Sequence, residues 1–346
     1  MKYSELGRTG LKVSKICLGT MTFGEQNTEA EGHEQLSYAV DQGVNFIDTA
    51  EMYSVPGRPE TQGSTERIIG TWLKGRGRRD DVIIATKVTG PSTGLKHIRN
   101  PLRFTPEQIR TAIEGSLNRL QTDYVDLYQL HWPERNTNCF GKRGYKHNPD
   151  EVWEDNLPQV LQTLNELKEE GKIRHYGVSN ETPWGLMRYH HLAEVHNLPR
   201  MVSIQNPYSL LNRTFEVGLS EVAMREQTGL LAYSPMAFGL LSGKYHRKQD
   251  QPGDRINKFK QLSRYNSQNC QEATARYLSI AEDYGLNMAQ MSLAFVNQQP
   301  FTTANIIGAT TMEQLRENIS SIEVTLSQDV LNEIEAVHEA IPNPAP

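Results

Sequence analysis

Cysteine is scarce in this sequence, with Cys17, Cys139 and Cys270 the only three among 346 residues. They are odd in number, far apart and without a C-x-x-C pair, so we expect no disulfide framework. The ten histidines contain no H-E-x-x-H motif and no Cys/His cluster at zinc spacing, and we expect no metal site. Three histidines are interpreted as part of a solvated helix: His190, His191 and His196.

Long hydrophobic runs are also absent. No stretch of about 18 apolar residues could cross a bilayer, and the opening segment MKYSELGRTG lacks the apolar core of a secretion signal. The 36 basic and 41 acidic residues give a net charge of -5 without a basic stripe, which argues against nucleic acid as a partner. We expect a cytoplasmic protein that acts on a small molecule, with no membrane partner.

The length of 346 residues is compatible with one α/β barrel or with two smaller domains. Short apolar, β-rich runs alternate with amphipathic helical segments, a pattern typical of βα units around a parallel sheet. Eight consecutive units close most simply into a (β/α)8 TIM barrel, which we predict as a single domain over residues 1–346. The candidate strands cover 15–19, 44–48, 82–87, 123–131, 173–179, 201–205, 230–234 and 305–309.

Several segments lie outside this repeat. Residues 1–14 are predicted to form a β-hairpin that plugs the bottom of the barrel. Long segments follow strands four and seven, over 134–156 and 240–270, and both leave the face where barrel enzymes keep their active sites. We interpret them as substrate loops, with surface decoration as the alternative. The Pro-rich C-terminal tail is expected to fray.

Ionisable side chains end three neighbouring predicted strands. Because side chains alternate between the two faces of a strand, the inward-facing sets end at Asp48, Lys87 and His131. Tyr53 lies five residues beyond Asp48, on the following loop. Each group alone is more often structural, but together they predict a catalytic cluster at the top of the barrel.

Reduction of a carbonyl group would use each of these residue types. Hydride attack on C=O builds negative charge on oxygen, which a proton must neutralise in the transition state. A phenol such as Tyr53 is a weak acid, and the cation of Lys87 would favour its ionised form. Asp48 would hold Lys87 charged, and His131 could hydrogen-bond the substrate oxygen.

Other catalytic readings find less support. Asp123 and Asp126 face opposite sides of one strand, against a glycosidase-like acid pair, and we interpret Asp126 as a structural partner of Arg119. No G-x-G-x-x-G occurs, and GLLSGKY at 239–245 has the wrong spacing for a P-loop. No tyrosine precedes a lysine by four residues, which excludes the short-chain dehydrogenase pairing.

The chain closely resembles the aldo-keto reductases over almost its whole length. Within that family it is most similar to the branch with potassium-channel β subunits and related bacterial reductases. The matching segments are GVNFIDTAEMY at 43–53, ATKV at 85–88, LNRLQTDYVDLYQLHWP at 117–133, GKIRHYGVSN at 171–180, YSPMAFGLLSGKY at 233–245 and IIGATTMEQLREN at 306–318.

This resemblance implies a catalytic tetrad and a nicotinamide cofactor site. The tetrad is Asp48, Tyr53, Lys87 and His131, with Tyr53 as the general acid. Around the nicotinamide the implied contacts are Gly19, Thr20, Met21, Asp48, Ser179, Asn180 and Gln205, with Tyr233 stacked on the ring. The implied pyrophosphate cradle is Ser234, Pro235, Met236, Ala237, Phe238, Gly239, Leu240, Leu241, Ser242, Gly243 and Lys244.

At the adenosine end, the resemblance implies contacts from Gly308, Thr310, Gln314, Glu317 and Asn318. Lys244 and Arg255 are the expected cations near a 2′-phosphate, which favours NADPH. The aldose-reductase branch usually has a Lys-Ser pair where Ala309 and Thr310 stand here.

The expected activity is therefore NADPH-dependent reduction of an aldehyde or ketone. The alternative is a binding module that uses the bound nicotinamide as a redox signal for a protein partner. A hydrolase on the same fold is a third reading, but the sequence offers no nucleophile elbow. Trp132 and Trp153 are expected to shape the pocket, while the substrate and the oligomeric state are left open.

Overall fold

A hairpin and a closed barrel of eight parallel strands form the framework of the computed structural model, which describes residues 1–259 and 263–346. The hairpin strands are β1 (Tyr3–Glu5) and β2 (Lys12–Ser14). The barrel strands are β3 (Ile16–Gly19), β4 (Phe46–Asp48), β5 (Ile83–Val88), β6 (Val125–Leu130), β7 (Ile173–Ser179), β8 (Ser203–Pro207), β9 (Gly229–Tyr233) and β10 (Thr302–Ile307). Strand β10 pairs back with β3, so the predicted barrel is confirmed.

Helices surround the strands in the described part of the chain. They are α1 (Glu29–Asp41), α2 (Ser64–Arg76), α3 (Pro106–Leu120), α4 (Leu157–Glu169), α5 (Pro183–Val195), α6 (Leu219–Glu226), α7 (Arg255–Lys258), α8 (Gln268–Asp283), α9 (Met288–Gln298), α10 (Met312–Ser320) and α11 (Gln328–Ala340). Thr105 caps α3 and Thr182 caps α5, each before a first-turn proline that needs no hydrogen-bond acceptor.

Two apolar cores hold the barrel. The interior core includes Phe46, Ala85 and Leu127, and the hairpin side chains Leu6 and Val13 pack into the same cluster. The hairpin therefore closes one end of the barrel, as predicted. The larger core lies between the strands and the helices. Because the hairpin fills this end, the open end of the barrel is formed by the carboxyl ends of the strands, and we call that end the mouth.

The two long loops follow the predicted strands. No helix or strand interrupts 134–156, and α4 begins directly after it. The second loop was predicted over 240–270. Helix α7 interrupts it, and α8 already begins at Gln268, so its irregular part is shorter than predicted. Residues 260–262 of that loop lie outside the described residues.

The C-terminal tail does not fray, so that expectation was wrong. Ala345 is buried, and its backbone N–H donates to the carbonyl of Leu211 at 3.0 Å. Arg143, from the loop after β6, donates to the carbonyl of Pro344 at 3.2 Å. These partners come from distant parts of the chain, and the local composition of the tail therefore carries no sign of them.

Two smaller interpretations were also wrong. Asp126 forms salt bridges with Arg79 and Arg174 at 2.7 and 2.9 Å. Arg119, its predicted partner, forms a salt bridge with Glu66 instead. His190 is not solvated but buried, and its Nε2 lies 2.9 Å from the Thr228 hydroxyl. Burial lowers the pKa of His190 to about 4. His191 and His196 do lie on the exposed side.

Close packing between α2 and α3 predicts the effect of one substitution. A Cβ at Gly70 would lie 2.2 Å from the carbonyl oxygen of Arg119, so Gly70→Ala should lower the free energy of unfolding by about 1–3 kcal/mol. Gly75 lies in the same helix with nothing within 4 Å, and Gly75→Ala should raise it by about 0.5–1 kcal/mol. Urea unfolding followed by circular dichroism measures both variants. Equal shifts of the same sign would contradict the packing described.

Candidate active site

Three side chains from strand ends and a fourth from a loop meet at the mouth of the barrel. Asp48 is the last residue of β4, Lys87 is the penultimate residue of β5, and His131 directly follows β6. Tyr53 arrives from the loop after β4, where its N–H donates to the carbonyl of Ala50 at 3.0 Å. All four are buried, so their charges and hydrogen bonds act in a poorly solvated setting.

Lys87 is the hub of this group. Its Nζ donates to Asp48 Oδ2 at 2.6 Å and to the backbone carbonyl of Thr49 at 2.8 Å. It also lies 3.5 Å from Tyr53 Oη. The single ammonium therefore links the carboxylate to the phenol, and its burial makes that arrangement rigid.

His131 completes the group from the other side of Tyr53. The two ring centroids are 5.7 Å apart and meet edge to face. The backbone carbonyl of His131 accepts from Asn180 Nδ2 at 2.9 Å, which ties the end of β6 to that of β7. Its Nδ1 is buried and has no hydrogen-bond partner among the described residues.

Burial sets the protonation states of these groups. It raises the pKa of the Tyr53 phenol, and although Lys87 acts in the expected downward direction, burial outweighs it. Burial also lowers the pKa of His131 well below its usual value, and the Lys87 charge adds to this shift. Burial opposes the charge on Lys87 and is the largest single effect, but Asp48 and Tyr53 together outweigh it and the pKa of Lys87 rises. At neutral pH the site therefore holds a protonated phenol, a neutral imidazole and an ammonium.

The three residues expected at a nicotinamide carboxamide lie together beside this group. The Ser179 hydroxyl donates to the Gln205 carbonyl at 2.8 Å, and Asn180 Nδ2 donates to the Ser179 oxygen at 3.1 Å. The Gln205 side-chain amide donates to Asp48 Oδ1 at 2.8 Å. Asp48 thus accepts from Lys87 and Gln205 at once.

Tyr233 lies at the end of β9, where its hydroxyl donates to Asn180 Oδ1 at 2.6 Å. Asn180 has a φ of 53° and Ser234 a φ of 55°, a left-handed conformation that side chains rarely adopt. Such backbone at the carboxyl ends of two strands is typical of a functional mouth. On the opposite side, the Thr20 hydroxyl donates to the Asp48 carbonyl at 2.8 Å, and the Met21 carbonyl accepts from Val55.

The segment after β9 has the backbone expected of a phosphate cradle. Ala237, Phe238, Gly239 and Gly243 all have positive φ within two tight turns. Glycine adopts these angles without strain and allows close approach to the backbone. The segment therefore suits a ligand that packs against main-chain atoms.

Two cations flank this cradle. Lys244 Nζ lies 2.5 Å from the carboxylate of Asp254. The guanidinium of Arg255 lies over the Phe238 ring, at 4.7 Å from its centroid, and its Nε and Nη2 lack partners among the described residues. Burial lowers the pKa of Arg255 to about 10, and the phenol of Tyr53 is near enough to oppose that shift. Arg255 thus faces the reaction end of the cleft.

At the other end, the residues expected at the adenosine form a hydrogen-bonded group. Gln314 Oε1 accepts from the backbone N–H of Thr310 at 3.0 Å, and Asn318 Nδ2 donates to the Gly308 carbonyl at 3.0 Å. Glu317 Oε1 accepts from Asn287 Nδ2 at 2.6 Å. Gly19 lies against β10, since a Cβ there would be 2.7 Å from a methyl group of Ile306.

Comparison with known proteins decides the family. The sequence profile of the Aldo/keto reductase family matches residues 15–339. The chain belongs to the aldo/keto reductase family. It is 54% identical to Protein tas of Escherichia coli over the full length of both chains. It is 36% identical to the uncharacterized oxidoreductase YrpG of Bacillus subtilis, over 96% of this chain and 94% of that one. It is 30% identical to norsolorinic acid reductase stcV of Emericella nidulans, over 94% and 78%.

Membership in the aldo/keto reductase family makes this chain an oxidoreductase acting on small-molecule carbonyl compounds. In the described residues, no three His, Cys, Asp or Glu side chains are grouped so that they could hold a metal ion. Within the same ranges, no helix has the length and apolar character needed to span a membrane.

One pair of residues in this aldo/keto reductase was not identified from the sequence. Glu51 is buried, receives both Nη atoms of Arg99, and accepts from the Thr89 N–H at 3.0 Å. Its own N–H donates to the carbonyl of Lys87 at 3.1 Å. Glu51 therefore ties the Tyr53 loop to β5. The acid two residues before Tyr53 was the available signal, but nothing in the sequence pointed to Arg99 as its partner.

Proposed function

We propose that this chain reduces the carbonyl group of an aldehyde or ketone to an alcohol, with NADPH as the hydride source and Tyr53 as the general acid. The observation that carries the proposal is the buried group of Asp48, Lys87, Tyr53 and His131 beside the residues suited to a nicotinamide carboxamide. A bound NADPH supplies the hydride, which leaves the protein to position the carbonyl and provide the proton.

The geometry suits these two tasks. Tyr53 is protonated at neutral pH and can donate its proton to the carbonyl oxygen as negative charge builds there. The ammonium of Lys87, 3.5 Å from the phenol oxygen, stabilises the phenolate that remains. His131 is neutral and keeps a ring N–H to donate to the same oxygen, which orients the carbonyl. Asp48 keeps Lys87 charged.

The cofactor assignment rests on the fit of the cleft. Ser179, Asn180 and Gln205 offer hydroxyl and amide groups that match a carboxamide, and the Tyr233 ring lies next to them. The unpartnered nitrogens of Arg255 and the left-handed turns after β9 suit phosphate groups. Lys244 is the cation that favours a cofactor with an additional 2′-phosphate over NADH. Arg255, which was expected beside it, lies near Tyr53 instead and does not bear on that choice.

Titration with NADPH and with NADH, followed by tryptophan fluorescence, tests the cofactor before any substrate is known. The loss of NADPH absorbance over a panel of aldehydes and ketones then tests the reaction. NADPH binding that is tighter than NADH binding, with turnover of some carbonyls, supports the proposal. Tight NADPH binding without turnover on any carbonyl would favour the redox-sensing binding module instead.

The protonation states predict how the rate depends on pH. The raised pKa of Tyr53 keeps the acid protonated, and the lowered pKa of His131 keeps the imidazole neutral. We therefore expect kcat/KM for reduction to stay within about twofold between pH 6 and 8, and to fall only as pH rises towards the pKa of Tyr53. Initial rates in overlapping buffers measure this. A change in kcat/KM with a midpoint near the ordinary histidine pKa of about 6.5 would contradict this expectation.

We further propose that residues 1–346 act as one domain in the cytoplasm and that nucleic acid is not a partner. The continuous barrel and the family match over 15–339 support the first point. The net charge of -5 supports the last.

A further inference from the structure

Arg264 is a second arginine at the mouth, in the loop after β9, and the proposed cofactor contacts do not use it. It lies in a short 3-10 turn, Ser263–Tyr265, and is partly buried. Its electrostatic neighbours are the phenols of Tyr233 and Tyr265. Since Tyr233 bonds Asn180 and Asn180 bonds the His131 carbonyl, two side chains separate Arg264 from the reaction centre.

An aromatic wall leads from the reaction centre to the same arginine. The His131 ring lies 4.8 Å from that of Trp132, and Trp132 meets Phe140 edge to face at 5.6 Å. Phe140 remains 55% exposed. The next residue, Gly141, neighbours Arg264, since a Cβ there would lie 3.7 Å from Arg264 Nε, in ordinary van der Waals contact. A flat molecule held by its carbonyl at Tyr53 would therefore extend along this wall towards Arg264.

The charge of Arg264 lacks the partner that other partly buried arginines have. Arg99 pairs with Glu51, Arg119 with Glu66, and Arg135 with Glu181. Among residues 1–259 and 263–346, no side-chain carboxylate forms such a pair with Arg264, whose neighbours are the two phenols. The backbone oxygen of Pro346 lies beside the same glycine, Gly141. Desolvating a guanidinium without an anion is costly, and a carboxylate is the group that matches its planar fork. The mouth therefore presents a cation suited to an anionic ligand.

We propose that Arg264 binds a carboxylate of the substrate, so that the substrates are aldehydes or ketones that also carry an acid group. The inference rests on the reductase function proposed above and names its substrate class. The carboxylate takes no part in the reaction. Hydride reaches the carbonyl carbon, the Tyr53 proton reaches its oxygen, and Arg264 fixes the far end of the molecule.

The test compares 4-carboxybenzaldehyde with its methyl ester, which has nearly the same shape but no charge. The parent should reduce the acid with the higher kcat/KM. Arg264→Gln should lower kcat/KM for the acid by about 10- to 100-fold, mainly through KM, and leave the ester within about twofold. Arg264→Lys should recover part of the loss. The control is Arg225→Gln, which removes an exposed arginine paired with Glu221 on α6 and should change neither substrate.

Binding to the NADP⁺-loaded protein separates this inference from the reductase proposal. By calorimetry, the parent should bind the acid about tenfold or more tightly than the ester, and Arg264→Gln should bind both alike. If the parent showed this preference for the acid but reduced neither aldehyde, the arginine site would be supported and the reductase function overturned. Turnover of both aldehydes without discrimination, or an equal loss on both in Arg264→Gln, would overturn the carboxylate assignment and leave the reductase intact.

Discussion

Replacement of Tyr53 by phenylalanine is expected to lower kcat/KM for carbonyl reduction by about 100- to 10,000-fold. The phenol is the proton donor of the proposed reaction, and the substitution removes its hydroxyl alone. Phenylalanine retains the ring that meets His131 edge to face at 5.7 Å. The loss should therefore appear in kcat more than in KM, as for an interaction made in the transition state.

Affinity for NADPH is the control for Tyr53→Phe. The residues suited to the cofactor are contributed by other strands, so the dissociation constant should change by less than about threefold. Initial rates on the best aldehyde of the panel give kcat/KM, and fluorescence titration gives the dissociation constant of NADPH. A variant that retains more than about a fifth of the parental kcat/KM would show that another group delivers the proton.

Replacement of Lys87 by methionine is expected to have the largest effect on stability. The ammonium is fully buried and lies 2.6 Å from Asp48, so its removal leaves a buried carboxylate without its counter-charge. Breaking a buried pair in this way costs about 3–5 kcal/mol. The amide of Gln205 still donates to Asp48, which places the expected loss towards the lower end. Chemical denaturation measures it, and the same variant should lose carbonyl reduction.

A double substitution separates these two effects. Asp48→Asn in the Lys87→Met background removes the stranded charge and should recover at least half of the lost stability, while activity stays absent. If Lys87→Met alone unfolded at the parental midpoint, the buried ion pair could not be the hub of this site.

Strand positions were predictable because apolar alternation reports burial, but strand ends were not. Strand β10 begins at Thr302, three residues before the predicted start, because three polar or small residues join the ladder. Strand β8 runs on to Pro207, which pairs with Tyr233 although an Asn-Pro pair reads as a turn. Strand β4 begins at Phe46, because the backbone N–H of Asn45 donates to the Ser14 hydroxyl of the hairpin at 3.1 Å and not to a neighbouring strand.

Within the site, alternation along three strands was enough to bring Asp48, Lys87 and His131 to one mouth. The Glu51–Arg99 pair and the position of Arg264 were not predictable in the same way. Both depend on the path of irregular loops, which follows from contacts between distant segments and not from local periodicity. The docked tail at Ala345 is a further case, since its partner is the Leu211 carbonyl.

A crystal structure of the protein with bound NADP⁺ would show directly whether the nicotinamide lies beside Tyr53. We expect the nicotinamide ring at the barrel mouth, with its reactive carbon facing the hydroxyl of Tyr53. Its carboxamide should lie within hydrogen-bond distance of Ser179, Asn180 and Gln205. A cofactor bound elsewhere, or a nicotinamide turned away from Tyr53, would contradict this expectation.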